Sequence, residues 1–205
     1  MESAKIHFEQ NIIRVKNLGA IYQSINSQTT PILDLSDILR AQYVMLVSAL
    51  DHFIHELVRF GMIEIYNENR RATKEFKEFI FSTDKNTLFK KAIMEEKSDV
   101  WLNHQIRHRN GFKSFQEAEK IKEAMLLIVE VDIWTEVANV LEEDVRQIKS
   151  RLNLIIDRRN QISHEADIEP TYHELRTIYV EDVNDSIVFI ESLVNIIFNF
   201  CYQES

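Results

Sequence analysis

Apolar residues recur every three or four positions along most of the chain, which is the spacing of one buried helical face. The clearest case is a helix that begins near Asp34 or Ser36, since both residue types are good caps. We expect Gly61 to bend or end this helix. The apolar stripe of this predicted helix consists of Leu39, Tyr43, Leu46, Val47, Leu50, Phe53, Ile54, Leu57 and Val58.

Further segments carry the same periodicity. An amphipathic helix is predicted over residues 3–26, followed by a break at "SQTTP". The middle, residues 70–130, is predicted to be irregular and helical, with a loop at "RNG" and one continuous helix through "SFQEAEKIKEAMLLIVEVDIW". Two more helices are expected over residues 142–163 and 183–200, and the last has an unusually wide apolar face.

Composition supports a helical fold. Glycine occurs three times and proline twice, which argues against a β-rich fold with many tight turns. With 205 residues, the chain can bury one sizeable core. We therefore predict an all-α antiparallel helical bundle formed by a single domain over residues 1–205, with residues 1–30 as an N-terminal helical extension and 31–205 as the core.

Charge and cysteine content restrict the binding partners and the cellular location expected for this protein. The net charge of −9 gives no global signature of a nucleic-acid binder, so an RNA-facing surface would be a local basic patch. A single cysteine, Cys201, excludes an internal disulfide framework, and we expect it to be a buried apolar residue. The start "MESAKIHFEQ" lacks the apolar core of a signal peptide, and Glu191 interrupts the longest apolar run. A cytoplasmic protein with no membrane contact is expected.

The stretch "LIIDRRNQISHEAD" carries most of the candidate chemistry. Arg159 falls on the apolar stripe of its helix, where an unpaired guanidinium is costly to bury. Asn160 and His164 are four residues apart and therefore neighbours, and a frayed helix end could turn His164 toward Arg159. A histidine can move a proton and an arginine can stabilise phosphate charge, which is the minimum equipment for RNA cleavage. The alternative is a solvated helix end whose basic residues complement the helix dipole, worth roughly 0.3–1 kcal/mol.

The run Arg159-Asn160-Gln161-Ile162-Ser163-His164 resembles the R-x4–6-H motif of the HEPN superfamily, with a polar residue after the arginine. The sequence "LNLIIDRRNQISHEAD" is similar in particular to the RiboL-PSP-HEPN branch. "RAQYVMLVSALDHFIHEL" resembles the first core helix of that branch. The likeness extends from about residue 35 to the end.

This resemblance implies a dimeric helical bundle in which two motifs meet across the interface. Many members are endoribonucleases that need neither metal nor cofactor and leave a 2′,3′-cyclic phosphate and a 5′-hydroxyl. Carried over, His164 is the acid/base, Arg159 stabilises phosphate charge and Asn160 shapes the motif. Some members are toxins silenced by modification of a tyrosine two residues after the histidine. That position is Ala166 here, which argues against this form of control.

Two residues are supporting candidates. Arg158 lies outside the core motif and is predicted at most to contact the RNA backbone. Asp51 lies at the edge of the second helix's stripe, where it could orient Arg159 or His164 or simply be a solvated boundary residue.

Two other clusters allow a functional and an ordinary reading. The segment "HQIRHRNGFK", residues 104–113, could grip single-stranded RNA by charge and stacking, or form a solvated loop. His52, His55 and Glu56 have a spacing that can bind metal but match no zinc motif, so we assign no metal site.

The leading hypothesis is a homodimeric endoribonuclease of toxin–antitoxin or phage-defence systems, with RNA as substrate and an antitoxin or defence protein as further partner. Alternatives are a non-catalytic module that binds RNA or protein, and a helical scaffold in a larger defence assembly.

Overall fold

The computed structural model describes residues 1–28, 33–81 and 98–203. Within these ranges the chain is all-α, as predicted, and its only β-type pairing is an isolated antiparallel bridge between Ile168 and Leu175. Residues 29–31 of the predicted break "SQTTP" and the segment 82–97 lie outside the described residues. The helices are α1 (Glu2–Asn26), α2 (Ser36–Tyr66), α3 (Lys74–Phe81), α4 (Ser98–Asn110), α5 (Ala118–Met125), α6 (Ile133–Leu141), α7 (Val145–His164) and α8 (Val180–Gln203).

Helix α2 forms the centre of the core. All nine apolar positions of its predicted stripe are buried. Helices α1, α7 and α8 pack around it. The start of α2 meets the start of α8, where Ser186 Oγ donates to Tyr43 Oη at 3.1 Å. Just beyond the other end of α2, Arg70 bonds the carbonyl of Cys201 in α8. Helices α2 and α8 therefore run in the same direction, whereas α1 and α7 are antiparallel to α2.

Helix α1 contributes directly to this core, although we expected an N-terminal extension. Its buried residues Ala4, Phe8, Ile12 and Val15 follow helical spacing and face α2. The rings of Phe8 and Phe53 lie 5.6 Å apart. Burying a large apolar side chain stabilises a fold by about 1.5–3 kcal/mol, so α1 is a substantial part of the bundle's stability.

Two helix boundaries differ from the sequence prediction. Gly61 does not end α2, which continues to Tyr66. Glycine is needed there for close packing, because a Cβ would lie 2.7 Å from Ile128 Cγ2 and 2.9 Å from Met1 Cε. The predicted single helix after residue 114 is instead divided into α5 and α6. Asp132 starts α6 by accepting a hydrogen bond from the Trp134 amide at 3.1 Å.

Helix α8 buries its wide apolar face in the core. Leu193, Val194, Ile197 and Cys201 are fully buried, so the expected buried cysteine is confirmed. Among the described residues, α8 is the one helix whose length and composition would also suit a membrane span. Its packing against α2 explains the apolar composition equally well, since the core helix of a folded bundle has the same character.

Candidate functional site

Helix α7 brings the motif to one end of the bundle. Asp144 caps its start by accepting from the Arg146 amide at 2.8 Å, and Ile148, Leu152 and Ile155 anchor its first three turns in the core. The motif occupies the last two turns, where the apolar stripe gives way to polar residues. The packed first part of α7 thus holds the motif side chains at a defined place on the surface.

Arg159 is half-buried and held by neutral groups. Its Nη1 donates to Asn160 Oδ1 at 3.1 Å, and its Nη2 donates to Gln116 Oε1. In the part of the chain that the structure describes, no carboxylate lies within ion-pair distance of Arg159. Its guanidinium is therefore oriented without being neutralised, which leaves its charge available to an anion.

Gln116 reaches Arg159 because the segment before it is tied to α2. The Phe115 amide donates to Asp51 Oδ1 at 2.6 Å, and the Phe115 ring lies 4.4 Å from the ring of His55. Among the described residues, Asp51 hydrogen-bonds the Phe115 amide, and no hydrogen bond or ion pair joins it to Arg159 or His164. Asp51 holds the backbone of Phe115, the residue before Gln116, and so affects Arg159 indirectly.

His164 is exposed, and its ring makes no hydrogen bond to any residue that the structure describes. Helix α7 continues through His164, so the expected turn of a frayed end toward Arg159 does not occur. Five residues at about 100° each separate the two side chains by about 140° around the helix. Asn160 lies between them, bonded to Arg159 and about 40° from His164, so the three residues form a row across the motif surface.

Arg158 points about 100° away from Arg159 around α7 and is paired within the protein. Its Nη2 donates to Asp167 Oδ2 at 2.9 Å, and its Nη1 bonds Asp167 Oδ1. Arg40 Nε, from the start of α2, donates to Asp167 Oδ2 at 2.6 Å. Asp167 is only 1% exposed, so two guanidiniums neutralise a buried carboxylate. We predicted at most a contact between Arg158 and the RNA backbone. An RNA phosphate would have to compete with Asp167 for this arginine.

The chain after α7 makes a sharp turn to deliver Asp167. Ala166 and Asp167 both have left-handed backbone angles, with φ of 51° and 56°. The Asp167 amide donates to the Gln161 carbonyl at 3.0 Å, and the Arg176 amide donates to the Asp167 carbonyl at 2.9 Å. The loop behind His164 is therefore fastened to both α2 and α7.

Sequence reasoning missed Arg40, Asp167 and Gln116. Arg40 carried a signal, because it precedes Tyr43 and Val47 at helical spacing and so sits on an apolar face that demands a partner. Neither Asp167 nor Gln116 belongs to a recognisable pattern, and each bonds an arginine that is distant in the chain, Arg40 and Arg159 respectively.

The residues considered for metal binding are engaged with other groups. Among the described residues, no group of three or more His, Cys, Asp and Glu side chains could hold a metal ion. Glu56 bonds Arg59 at 2.6 Å, and His55 Nε2 lies 3.1 Å from the Lys113 carbonyl. Burial would raise the pKa of Glu56, but hydrogen bonds from Arg59 and the charges of Arg59, Arg107 and His52 lower it below its ordinary value.

The basic segment 104–113 does not form one continuous patch. Arg109 turns inward, where it donates to the Phe79 carbonyl at 2.8 Å and its guanidinium lies 4.1 Å from the ring of Phe79. Arg107 is 65% exposed and lies 3.6 Å from Glu56. Phe112 is 92% exposed, which is unusual for a phenylalanine. Charge and an open aromatic ring are thus presented at the end of α4.

Comparison with known proteins supports the resemblance. The model of the RiboL-PSP-HEPN family matches residues 9–202, which begins inside α1 and ends within α8. No curated protein and no solved structure matches the chain significantly. The match covers most of the sequence, including the motif helix and its all-α surroundings. The chain therefore belongs to the RiboL-PSP-HEPN family.

Proposed function

We propose that this protein is an endoribonuclease that cleaves RNA without a metal ion. The observation that carries the proposal is the state of Arg159. It is oriented by Gln116 and Asn160, and no carboxylate in the described part of the chain neutralises it. An exposed histidine on the same two helical turns supplies a group that can exchange protons with substrate.

The reaction is an internal phosphoryl transfer. The 2′-hydroxyl oxygen attacks the adjacent phosphorus while the bond to the 5′-oxygen breaks. His164 accepts the 2′-hydroxyl proton or protonates the departing 5′-oxygen. Arg159 stabilises the charge that grows on the non-bridging oxygens. The products are a 2′,3′-cyclic phosphate and a 5′-hydroxyl end, with no co-reactant.

A homodimer is the form in which this chemistry works best. Within one chain, Arg159 and His164 diverge by about 140°, so they do not readily converge on one phosphate. Pairing two α7 ends would let Arg159 of one subunit and His164 of the other face the same phosphodiester. It would also provide two histidines, one as base and one as acid.

The proposal extends to the biological setting. We propose an effector of a toxin–antitoxin or phage-defence system in the cytoplasm, controlled by a partner protein. Ala166 occupies the position of the tyrosine that some relatives have modified, so control would use a different contact.

A non-catalytic module that binds RNA or protein is the second candidate. One observation favours it: the His164 ring has no hydrogen-bonded group among the described residues to orient it, whereas a catalytic histidine is commonly held by a third group. In a dimeric nuclease, the partner subunit would have to supply that group.

Cleavage assays separate the two candidates. Purified protein is incubated with mixed RNA in EDTA, and product ends are tested for cyclic phosphate. We expect His164→Ala and Arg159→Ala each to reduce cleavage by about 10²–10⁴-fold, because each removes one half of the machinery.

Arg146→Ala is the matched control, since it removes the same charge from an exposed position at the opposite end of α7. It should cleave like the wild type. Normal cleavage by either motif variant would contradict the mechanism. Intact RNA with a mobility shift for the wild-type protein would favour the binding module.

A further inference from the structure

An open polar cleft lies between α2 and α4, next to the motif. Its volume is about 390 Å³, within the range of about 300–1,000 Å³ found for small-molecule sites. Asp51 and Glu56 line it from α2, while Arg107 and Asn110 line it from α4. None of these residues has a part in the cleavage chemistry described above.

Asn110 contributes an unpaired acceptor to the wall of the cleft. Its side chain is only 3% exposed, yet its Oδ1 has no hydrogen-bond partner among the described residues. Buried polar atoms are nearly always paired, and an unpaired acceptor in a cleft wall calls for a donor from outside the chain. A ligand with an N–H group would satisfy it.

The charges in the cleft limit the class of ligand. Two carboxylates and two arginines line the cleft, so it has no net charge that would favour a free anion or a free cation. Glu56 is already engaged by Arg59 at 2.6 Å, and Asp51 Oδ1 accepts from the Phe115 amide, which leaves a poor ligand set for a divalent cation. Asp51 Oδ2 lies 3.9 Å from His55 Nε2, beyond hydrogen-bond distance, and so remains an available acceptor. The remaining class is a neutral group rich in N–H donors.

The rim of the cleft adds a surface for stacking. Gly111 lines the cleft, and the next residue, Phe112, is 92% exposed. An exposed aromatic ring can stack on any base of single-stranded nucleic acid. Arg107, which is 65% exposed, offers parallel N–H donors from the same end of α4.

We propose that this cleft binds a guanine base of single-stranded RNA. The N1–H and N2–H groups of guanine match the acceptors Asn110 Oδ1 and Asp51 Oδ2. Its O6 and N7 atoms match the guanidinium of Arg107, a pairing common in base recognition. Adenine has fewer N–H donors, and the pyrimidines lack the paired O6 and N7 acceptors that match Arg107.

The cleft and Arg159 are joined by a short connection. Asp51 holds the Phe115 amide, and the next residue, Gln116, holds Arg159. A strand whose base occupies the cleft would thus have a neighbouring phosphate near Arg159. The inference rests on the proposed function in one respect, that RNA is the substrate, and it names which base positions that RNA.

RNA binding by the full-length His164→Ala variant tests this directly. Four labelled nine-nucleotide RNAs, all uridine except for a central G, A, C or U, are titrated and followed by fluorescence anisotropy. We expect the RNA with central G to bind on the order of 10-fold more tightly than the other three. Adding Asn110→Ala or Arg107→Ala should remove this preference.

Further variants control for misfolding, for base-independent stacking and for a general loss of positive charge. Arg107 is exposed, so its variant keeps the proposal testable if Asn110→Ala fails to fold. Phe112→Ala should weaken all four RNAs alike, because stacking tolerates any base. Arg146→Ala removes an equal charge from an exposed position that does not line the cleft and should keep the preference for G.

The outcomes distinguish this inference from the proposed nuclease. Equal affinity for the four RNAs, or a preference for G that survives in both Asn110→Ala and Arg107→Ala, would overturn the cleft assignment. Wild-type cleavage without base preference would do so while leaving the nuclease intact. Preferential binding of G without any cleavage would retain the cleft and contradict the nuclease. No binding of any RNA by folded protein would overturn the assignment and favour a protein segment as occupant.

Discussion

Arg158 and Arg159 are adjacent residues of one helix, yet the fold treats them in opposite ways. Arg158 meets a buried carboxylate, Asp167, which Arg40 also contacts. Among the described residues, the hydrogen-bond partners of Arg159 are the amide oxygens of Gln116 and Asn160. The two side chains point about 100° apart around α7, and that rotation alone brings them to different neighbours.

The comparison shows that one residue type can have a structural or a chemical role. A carboxylate partner neutralises an arginine, and the ion pair stabilises the fold. Amide partners restrict the rotamers of an arginine without neutralising it, so its field stays directed at an incoming anion. The charge of the partner, more than the exposure of the arginine, therefore separates the two roles.

The largest effect on stability is expected on the Arg158 side. Asp167→Ala leaves two guanidiniums facing each other at a buried position, and breaking such a pair costs about 3–5 kcal/mol. Urea unfolding should show this loss for Asp167→Ala. Asp157→Ala, which removes an exposed carboxylate from the same helix, should stay within about 0.5 kcal/mol of the wild type. Similar unfolding midpoints for both variants would show that the buried pair is not stabilising.

A smaller effect, on activity, is expected on the Arg159 side. Gln116→Glu gives Arg159 a carboxylate partner. Arg159 should then be neutralised within the protein, as Arg158 is by Asp167. We expect cleavage to fall by about 10–100-fold, and by more than in Gln116→Ala, because the charge meant for phosphate is neutralised. Initial rates on one RNA substrate would measure this.

Gln147→Glu adds the same charge at an exposed position at the start of α7 and serves as the control. It should change the rate little. If Gln116→Ala were the more damaging substitution, orientation rather than available charge would be the property that matters.

The smallest effect is expected at the far end of the same helix. Asp144→Ala removes the cap that accepts from the Arg146 amide, and such losses cost about 1 kcal/mol. Thermal melting should register the decrease while cleavage at 25 °C stays at the wild-type rate. A large loss of cleavage in this variant would mean that general fraying of α7, and not the local partners of the motif, controls activity.

Sequence periodicity predicted most helices but not how they join. The stripe of α2 and the wide face of α8 were readable because apolar spacing is a local property. The division between α5 and α6 was not, because apolar residues continue through the turn and only the cap at Asp132 marks the restart. The prediction that Gly61 could end α2 is wrong, because a glycine required for close contact with Ile128 looks the same in sequence as one that ends a helix.

Local sequence patterns are enough to specify the helices and to place Arg159, Asn160 and His164 in order along one of them. Which arginine is neutralised depends on how those helices and their loops pack together. Asp167 and Arg40 are 127 positions apart, and Gln116 and Arg159 are 43 apart. Partners so distant are selected by the packing of α2, α7 and their loops, because side-chain contacts between helices depend on relative placement that no local pattern encodes.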